Sequence, residues 1–594
     1  MSTTAPAPPV VDELVRAGVL RGELVGLVVS AGQGFAVAVP ERGFLRSVAV
    51  ADPVPVVAEI EAALRPRWVW WSNATPTALL PHQPASVRFA TCWDLAAVHR
   101  LLFGGWRADP ELIWAALHDL DPASVPAHGQ LDLLSRAGDD GGDSGDPVQP
   151  DGHLRPAWLK GGWSRSESRW RQWATLAVRA AVLQQDRLQA HGEPRNQTTR
   201  LATARSESAA ELLCAELGFD GLPVRPDRAR EIVAGFVGPR PRDAADARAI
   251  RDQRDEAVLR HVPGGDVDLR SPGQVKAMLL TFGIDVPDTR SWRLEVFRDV
   301  HPVVPALLRW RKDERFATTY GYEWLDRQVG TDGRLRGSWT GCDGGAGRMT
   351  ASAGLHSLPG ELRPAIAADE GHIFVRADLG QIEPRVLAAV SGDRGLSLAT
   401  RDDDLYAPVA ARLGVDRPTA KVAVLAAMYG QTSGAAGEAL KGMDAAYPVA
   451  MRYLREANEA GRAGRAGRSV RTYGGRLIRM WPTPDGLDDA AVRASTAARG
   501  RFARNAVVQG AAAELFKVWA VMVRARSAPM GGRIVMCLHD ELIVHAPAEH
   551  GPQLAKVLHD CLQQAAGTWA PEAQPGVRFV ADVSVISTWS EAKG

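Results

Sequence analysis

The segment that most restricts the fold is RIVMCLHDELIVHAPAE, residues 533–549, which places two apolar runs of strand length around a polar centre. Ile534–Leu538 and Leu542–Val544 flank the polar residues 539–541. Two short apolar runs with so small a gap are typical of an antiparallel hairpin. The acidic pair at the tip is harmless if water reaches it. If it is buried, the pair requires a neighbouring cation.

A second segment, HIFVRADLGQIEPRVLAAVSG at 372–392, predicts a strand followed by a helix. Ile373–Asp378 has the composition of a strand, and Ile382–Val390 has that of a helix. Asp378 therefore stands at the end of a strand, where the chain turns. Most aspartates in this position cap a helix or lie in a solvated turn. By itself the residue does not define a site.

A third segment, RPTAKVAVLAAMYGQTSG at 417–434, predicts a helix with four residues in one stripe. Arg417, Lys421, Leu425 and Tyr429 are spaced by four, so they share a helix face. Two cations at its start can bind a polyphosphate, and a tyrosine further along can stack on a base. The same sequence also fits an amphipathic helix whose basic end is merely solvated. Gly430 is the expected C-cap.

Length and composition set the class of protein. The 594 residues are enough for roughly four domains of about 150 residues each. Basic and acidic residues nearly cancel, 70 against 69, so a nucleic-acid site must be a local surface. The five cysteines are scattered, odd in number and without a Cys-x-x-Cys pair, which predicts reduced thiols and excludes a zinc site or disulfide frame.

The chain carries no signal for export or membrane insertion. It starts MSTTAPAPPVVDEL, without a charged region followed by an apolar region, and no apolar run approaches the ~18 residues of a membrane span. A cytoplasmic protein with no membrane partner is expected.

The order of elements along the chain predicts an α+β multidomain protein. The sequence has strand-like pieces near residues 24–71, a Gly- and Asp-rich loop near 137–153, helices to about 321, and mixed strands and helices thereafter.

In their order along the chain and in their residues, the three motifs together resemble those of family A DNA polymerases, the bacterial DNA polymerase I type. ADLGQIEPR at 377–385 resembles that family's motif A, Arg417-x3-Lys421-x7-Tyr429-Gly430 its motif B, and LHDEL at 538–542 its motif C. Further matches in register are Gly347-Arg348, Leu355–Pro359, Thr472–Arg476 and Arg501-x3-Asn505-x3-Gln509-Gly510. The resemblance covers roughly residues 200–594.

The resemblance implies a right-hand polymerase preceded by an exonuclease-like domain. The expected domains are an α/β exonuclease-like domain at 1–192, a thumb at 193–330, a first part of the palm at 331–400, fingers at 401–494 and a second part of the palm at 495–594. No 5′-nuclease domain is expected, because the chain leaves no length for one. The implied activity is DNA synthesis from a primer in replication-associated gap filling or repair.

The resemblance also implies a two-metal mechanism with Mg²⁺, for which Mn²⁺ is a possible substitute. Asp378 and Asp540 would hold both ions, with the backbone carbonyl of Leu379 as a further ligand. Glu541 and His539 would support the metal site and the primer end. The implied partners are primer-template DNA and deoxynucleoside triphosphates, bound by a nucleoid-associated monomer.

Nucleotide and DNA contacts follow from the same motifs. Arg417 and Lys421 would bind the triphosphate, Tyr429 would stack near the nascent pair, and Glu383 would exclude a 2′-hydroxyl. Leu425 stands where the family usually carries an aromatic residue, which bears on how the sugar is recognised. The residues expected to contact DNA, mostly through minor-groove acceptors common to all base pairs, are Arg348, Arg501, Asn505 and Gln509.

Two further departures from the family pattern concern motif A and the N-terminal region. Leu379-Gly380 replaces the usual Tyr-Ser, and Pro384 replaces a leucine. The N-terminal region has no strand bearing Asp-x-Glu, the pair that exonuclease chemistry requires, and Asp94 alone cannot hold two metals. The expectation is a domain without proofreading.

Two rival functions stay open at this level. A single-subunit RNA polymerase of related fold is disfavoured by Glu383 in the position that excludes ribose. A DNA-binding protein of polymerase fold that has lost catalysis would explain the departures in motif A. The presence of both aspartates, both cations and Tyr429 argues against that loss.

Overall fold

The computed structural model describes residues 9–80, 87–121, 145–190, 194–430, 435–464, 469–484, 486, 488–571 and 576–592. Residues 137–144 of the predicted Gly- and Asp-rich loop lie outside this described part. The chain divides into two compact units. The first comprises Met1–Asp220, Ser338–Ala351 and Val375–Val585, and the second comprises Gly221–Gly337, Ser352–Phe374 and Ile586–Gly594.

The first unit begins with a five-stranded sheet. Its strands are β1 Leu24–Ser30, β2 Gly34–Val39, β3 Phe44–Ala49, β4 Arg67–Trp70 and β5 Thr91–Asp94. The order is β3-β2-β1-β4-β5, in which β2 is antiparallel to β1 and β3, whereas β4 is parallel to β1 and β5. Three strand segments predicted from the sequence therefore lie in one sheet.

In the described part of this region, seven α-helices accompany the sheet, and apolar clusters lie on both of its faces. The helices are α1 Val10–Arg16, α2 Val54–Leu64, α3 Ala74–Thr77, α4 Leu95–Phe103, α5 Pro110–Leu117, α6 Glu167–Ala190 and α7 Pro194–Asp220. Along β1, Leu27 joins one apolar cluster and its neighbour Val28 joins another, as the alternation of a strand requires. Helix α6 approaches β1 so closely that a Cβ on Gly26 would lie 2.5 Å from the Ala174 carbonyl oxygen.

The second unit is mostly helical. Its elements are β6 Leu222–Pro223, α8 Pro226–Val237, α9 Ala244–Leu259, α10 Pro272–Thr281, α11 Ser291–Glu295, α12 Val303–Thr319, α13 Tyr322–Gln328 and β7 Arg334–Leu335. Helices α9, α10 and α12 contribute to one apolar cluster. Arg270 joins α9 to α12 by pairing with Asp255 at 2.7 Å and with Glu314 at 2.6 Å.

The rest of the first unit is built around a four-stranded sheet. The strands from here on are β8 Trp339–Thr340, β9 Thr350–Ala351, β10 His372–Leu379, β11 Val470–Arg471, β12 Leu477–Ile478, β13 Arg533–Leu538, β14 Glu541–Pro547 and β15 Ala581–Ile586. The sheet order is β13-β14-β10-β15. The helices are α14 Ile382–Ser391, α15 Arg394–Ala399, α16 Tyr406–Leu413, α17 Arg417–Tyr429, α18 Ala435–Ala446, α19 Pro448–Ala463, α20 Asp489–Ser527 and α21 Gly551–Trp569.

Helix α20 is the longest helix in the described residues and starts at a side-chain cap. The carboxylate of Asp488 accepts a hydrogen bond of 2.7 Å from the backbone N–H of Ala491. Among the described residues one helical stretch, Asp489–Met530, is long and apolar enough to cross a membrane, but 83% of its most apolar window is buried inside the protein. The core helix of a globular protein has the same properties.

The three motif segments adopt the predicted elements. The predicted strand and helix around Asp378 are β10 and α14, and each boundary lies within one residue of its expected place. Residues 533–547 form the predicted antiparallel hairpin, with a register shift between Ile534 and Met536. Helix α17 begins at Arg417 and ends before Gly430, whose φ of 70° is left-handed, as a C-cap requires.

Candidate active site

The end of β10 meets the tip of the β13–β14 hairpin. Leu538 pairs with Glu541, which leaves His539 and Asp540 as the two residues of the turn, and His539 has a left-handed φ of 52°. The backbone N–H of Leu379 donates to the carbonyl of Asp540 at 3.0 Å. Asp378 and Asp540 are 162 positions apart in the printed sequence. Their backbones are nevertheless adjacent in the fold.

The surroundings of Asp378 and Asp540 disfavour the ionised form of both side chains. Burial, followed by the nearby charge of Asp540, raises the pKa of Asp378 to about 6. Burial also raises the pKa of Asp540. Desolvation and like charge both disfavour the ionised forms, so bound cations would stabilise the site.

Arg376, which no sequence motif had pointed to, lies among these carboxylates. Its side chain is only 4% exposed and forms ion pairs with Asp378 at 2.6 Å, Glu541 at 2.8 Å and Asp582 at 3.1 Å. Arg376 is two residues before Asp378, so the alternation of a strand places both on one face. That spacing was the available signal. The hairpin tip thus has the cation that a half-buried acidic pair requires.

The donor set suits a hard divalent ion. Within the described ranges no group of three or more His, Cys, Asp and Glu side chains forms a metal-binding cluster. An ion held here would depend on Asp378, Asp540 and a backbone carbonyl such as that of Leu379. Mg²⁺ commonly binds through one or two carboxylates and completes its shell with water and substrate phosphates. The residues present fit that pattern.

The turn after Asp378 is fixed by a second arginine that sequence analysis did not single out. Arg385 is fully buried and donates to five backbone carbonyls, those of Gly380, Thr400, Asp402, Asp403 and Arg578. Burial, followed by the nearby charge of Arg578, lowers its pKa to about 10. This network fixes the turn between β10 and α14.

The structure explains the glycine at position 380, which is one of the departures in motif A. Its backbone N–H donates to the carbonyl of Val580 at 2.9 Å, next to β15. A Cβ at this position would lie 2.8 Å from the Val580 side chain. The close approach of the two segments therefore excludes a larger residue here unless Val580 moves.

Helix α17 presents the predicted stripe on its outer face. Arg417, Lys421 and Tyr429 are exposed and Leu425 is partly buried, whereas Ala420, Ala423, Val424, Ala427 and Met428 face the core. The carboxylate of Asp416 caps the helix by accepting from the Thr419 N–H at 2.8 Å. The stripe is therefore a displayed surface and not part of the core.

The two cations of the stripe differ in their partners. Arg417 pairs with Asp404 through two hydrogen bonds of 2.5 and 3.2 Å and lies 5.7 Å from the ring centroid of Tyr406. Lys421 has no ion pair among the described residues. A phosphate would have to replace Asp404 at Arg417 but would meet no carboxylate already paired with Lys421.

A cavity of about 290 Å³ opens beside the hairpin tip. It collects residues from β10–α14, α16, α17, α20 and the hairpin. Seven of the predicted site residues line it: Arg348, Glu383, Leu425, Tyr429, Gln509, His539 and Asp540. The remaining predicted residues, which do not line it, are Asp378, Leu379, Glu541, Arg417, Lys421, Arg501 and Asn505.

Glu383 connects three of the elements that line the cavity. Burial raises the pKa of Glu383, and the nearby charge of Arg348 partly offsets that effect. Gln509 Nε2 lies 3.4 Å from the hydroxyl of Tyr429. The carboxylate of Glu383 therefore lines the cavity together with residues from α17 and α20.

The remaining predicted DNA contacts lie on one face of α20 and on the β8–β9 connection. Arg501 is exposed, whereas Asn505 carries a buried amide nitrogen without a hydrogen-bond partner among the described residues. Arg348 pairs with Asp343 at 3.2 Å and keeps 46% of its side chain exposed. An unpartnered buried amide is unusual in proteins, and a ligand atom would relieve it.

Comparison with known proteins identifies a family. Residues 249–591 match the model described as DNA polymerase family A. The thermostable DNA polymerase I of Thermus filiformis is 28% identical over 327 residues, which is 51% of this chain and 38% of that protein. DNA polymerase I of Chloroflexus aurantiacus is 30% identical over 299 residues, which is 45% of this chain and 31% of that protein. The chain spans well under half the length of these relatives.

A solved structure extends the likeness to nearly the whole chain. The POL domain of Pol1 from M. smegmatis, determined in complex with DNA primer-template and dNTP, superposes with a TM-score of 0.68 at 21% identity. The match covers 99% of both chains. At this identity the likeness concerns the fold, and it confirms the predicted α+β polymerase class.

Proposed function

Because the chain belongs to DNA polymerase family A, we propose that it extends a primer 3′-hydroxyl with deoxynucleotides, directed by a template and with release of pyrophosphate. One observation carries this proposal. The hydrogen bond between Leu379 and Asp540 brings two carboxylate-bearing segments together at the mouth of a cavity. A DNA-binding protein without catalysis would have no need for this arrangement.

Asp378, Asp540 and the Leu379 carbonyl are the proposed ligands of two Mg²⁺ ions. When bound, these ions lower the pKa of the primer hydroxyl and neutralise the leaving pyrophosphate. Glu541 acts as a support, since Arg376 holds its carboxylate at 2.8 Å. His539 at the turn is proposed to contact the primer end.

The exposed stripe of α17 is proposed to receive the nucleotide. Lys421 binds the triphosphate, and Arg417 exchanges Asp404 for a phosphate oxygen, to which a guanidinium can make the same kind of charge-assisted hydrogen bonds. Tyr429 stacks near the nascent pair and moves when the fingers close. Leu425 lines the cavity with an aliphatic side chain, so we expect weaker discrimination at the 3′ side of the sugar than an aromatic residue would give.

Glu383 is proposed to select deoxyribose, because its side chain lines the cavity together with Tyr429 and Gln509. A 2′-hydroxyl on the bound nucleotide would meet this carboxylate. Arg348, Asn505 and Gln509 are proposed to read minor-groove acceptors. The unpartnered amide of Asn505 supports a role as donor to DNA. Arg501, which is exposed on the same helix, is proposed to contact the DNA backbone.

The domain assignment follows the same reasoning. We propose a thumb at 193–330, a palm at 331–400 and 495–594, and fingers at 401–494, acting as a monomer in gap filling or repair. The four-stranded sheet with both aspartates would form the floor of the palm. The helical second unit would supply most of the thumb.

The N-terminal domain is proposed to lack proofreading. Its sheet has the mixed strand order β3-β2-β1-β4-β5, but Asp94 is the one acidic residue in these five strands. Asp94 is 1% exposed, caps α4 through the Ala97 N–H at 2.8 Å and accepts from the Trp70 indole at 3.0 Å. Both of its oxygens are thus engaged, which leaves no pair of carboxylates for two metals.

The test is extension of a labelled primer-template with Mg²⁺ and either deoxynucleotides, ribonucleotides or no nucleotide. We expect extension with deoxynucleotides only, and its loss in Asp540→Ala with DNA binding retained. Glu383→Ala should admit ribonucleotides. Shortening of the primer without nucleotides, if Asp540→Ala retains it, would contradict the absence of proofreading. Bound DNA with no extension under any condition would favour the non-catalytic binding protein.

A further inference from the structure

Arg376 has an unusual environment for a guanidinium. Each of its three nitrogens donates to a different carboxylate: Nε to Glu541 Oε1 at 2.8 Å, Nη2 to Asp378 Oδ2 at 2.6 Å and Nη1 to Asp582 Oδ2 at 3.1 Å. With 4% of its side chain exposed, the guanidinium itself is shielded from water, whereas Asp378 and Asp582 are partly or largely exposed. A planar guanidinium can satisfy three carboxylates at once, whereas the single ammonium of a lysine cannot hold the same geometry.

The local charge is unbalanced even with this arginine. Three carboxylates contact Arg376, and Asp540 brings a fourth close to Asp378, because its backbone carbonyl accepts from the N–H of Leu379 at 3.0 Å. One positive charge therefore faces four negative ones. The site keeps an attraction for further cations.

Arg376 and a divalent ion would interact with the same carboxylate. Oδ2 of Asp378 already accepts a hydrogen bond from Arg376. Two cations close to one carboxylate repel each other, and the repulsion is strong where water is excluded. The guanidinium is fixed on β10 and cannot leave as an ion can.

We propose that Arg376 is a positioning residue of the metal site, which holds Asp378 and Glu541 in place without a metal and lowers the affinity of the site for divalent ions. The free enzyme then binds ions weakly, and tight binding requires the phosphates of the nucleotide. This inference rests on the proposed function, because it assumes that Asp378 and Asp540 are the metal ligands.

The experiment measures Mn²⁺ binding to the protein without DNA or nucleotide, from the electron paramagnetic resonance signal of free Mn²⁺. Two neutral variants, Arg376→Gln and Arg376→Met, should bind Mn²⁺ about tenfold more tightly than the natural protein, since a repelling charge is removed. Arg376→Lys keeps the charge and should stay within about threefold of the natural protein. The Mg²⁺ concentration for half-maximal primer extension should fall in the neutral variants and not in the lysine variant.

Arg524→Gln is the matched control. Arg524 is also largely buried, at 14% exposure, and pairs with Glu216 at 2.6 Å. Its loss removes a buried guanidinium from another part of the first unit. The control should lower thermal stability but leave the Mn²⁺ affinity unchanged.

Asp582→Asn tests the same idea in a chain that keeps Arg376. Asp582 is the exposed partner, at 67% exposure, so this variant should fold even if neutral residues at position 376 are not tolerated. Without this carboxylate, more of the arginine charge is left uncompensated. We expect Mn²⁺ to bind about threefold more weakly.

Unchanged or weaker Mn²⁺ binding in the neutral variants would overturn the inference and leave Arg376 a structural residue. If those variants do not fold, unchanged or tighter binding in Asp582→Asn would overturn it. Asp540→Asn separates this failure from that of the proposed function. If Asp540→Asn binds Mn²⁺ as well as the natural protein does, the metal site itself is wrong. If it loses binding, only the role of Arg376 is in question.

Discussion

Two aspartates of this chain occupy the same place in the local structure and have different surroundings. Asp94 ends β5 and precedes α4, whereas Asp378 lies at the end of β10 and precedes α14. The oxygens of Asp94 accept hydrogen bonds from the Ala97 N–H and the Trp70 indole. Asp378 caps no helix, is 35% exposed and is paired with Arg376.

The difference shows what turns a strand-end carboxylate into a candidate site. Burial raises the pKa of both groups, to about 7 for Asp94 and about 6 for Asp378, so a raised pKa does not separate them. Each oxygen of Asp94 accepts a hydrogen bond from a neutral donor, and the residue is 1% exposed. Asp378 adjoins a second carboxylate, Asp540, at the edge of a cavity.

The largest expected difference between the site of Asp378 and Asp540 and the surroundings of Asp94 is in how much activity a substitution removes. Asp540→Asn should reduce primer extension about a thousandfold or more, since the ligands of both ions are disturbed. Asp94→Ala should keep extension within about threefold when folded protein is compared. Single-turnover extension of a labelled primer measures both. A comparable loss in Asp94→Ala would place catalysis in the N-terminal sheet as well.

The free energy of unfolding should depend strongly on Asp94, which is not expected to matter for activity. Asp94→Ala removes a helix cap and leaves the Trp70 indole N–H without a partner, so we expect the free energy of unfolding to fall by about 2–4 kcal/mol. Urea denaturation followed by tryptophan fluorescence measures this. Asp109→Ala is the control, because Asp109 precedes α5 without a side-chain cap bond. A change under about 0.5 kcal/mol for Asp94→Ala would show that the cap is dispensable.

In metal-free protein, substitution of Asp378 is expected to raise the free energy of unfolding, by less than substitution of Asp94 lowers it. Its pKa is raised from 3.8 to about 6, so its contribution to stability is complete below pH 3.8 and is lost as the pH rises through 6. Asp378→Asn, which stays neutral, should therefore be more stable than the natural protein above pH 6. Since the side chain is partly exposed, solvent screening reduces the gain to about 1 kcal/mol.

The measurement is urea denaturation in EDTA at pH 7.5 and pH 4.5. The gain of Asp378→Asn should appear at the higher pH and largely disappear at the lower one. Added Mg²⁺ should stabilise the natural protein and not the variant. A variant that is less stable at pH 7.5 would mean that the Asp378 charge is compensated in the folded protein.

The sequence predicted those parts of the site that depend on neighbours along the chain. The period of apolar residues and the polar residues at 539–541 were enough to place the hairpin, and the four-residue spacing with Gly430 was enough for α17. The order of the motifs then located the aspartates. These signals are local, or are short patterns in a fixed order.

The contacts of the two buried arginines could not be predicted in this way. Arg376 pairs with Glu541 and Asp582, which are 165 and 206 positions away. Arg385 donates to a carbonyl 193 positions away. Partners at such distances depend on how β10, β14 and β15 assemble. The sequence showed only that Asp94 is a single carboxylate that cannot hold two metals. Its burial, with both oxygens hydrogen-bonded, gives it a structural role.

The most direct test is the anomalous diffraction of Mn²⁺ in a crystal of the protein with primer-template and a non-hydrolysable deoxynucleotide. We expect Mn²⁺ peaks beside Asp378 and Asp540, and no peak near Asp94 or elsewhere on the five-stranded sheet. A peak beside Asp94, or no peak between β10 and the hairpin tip although nucleotide is bound, would contradict this expectation.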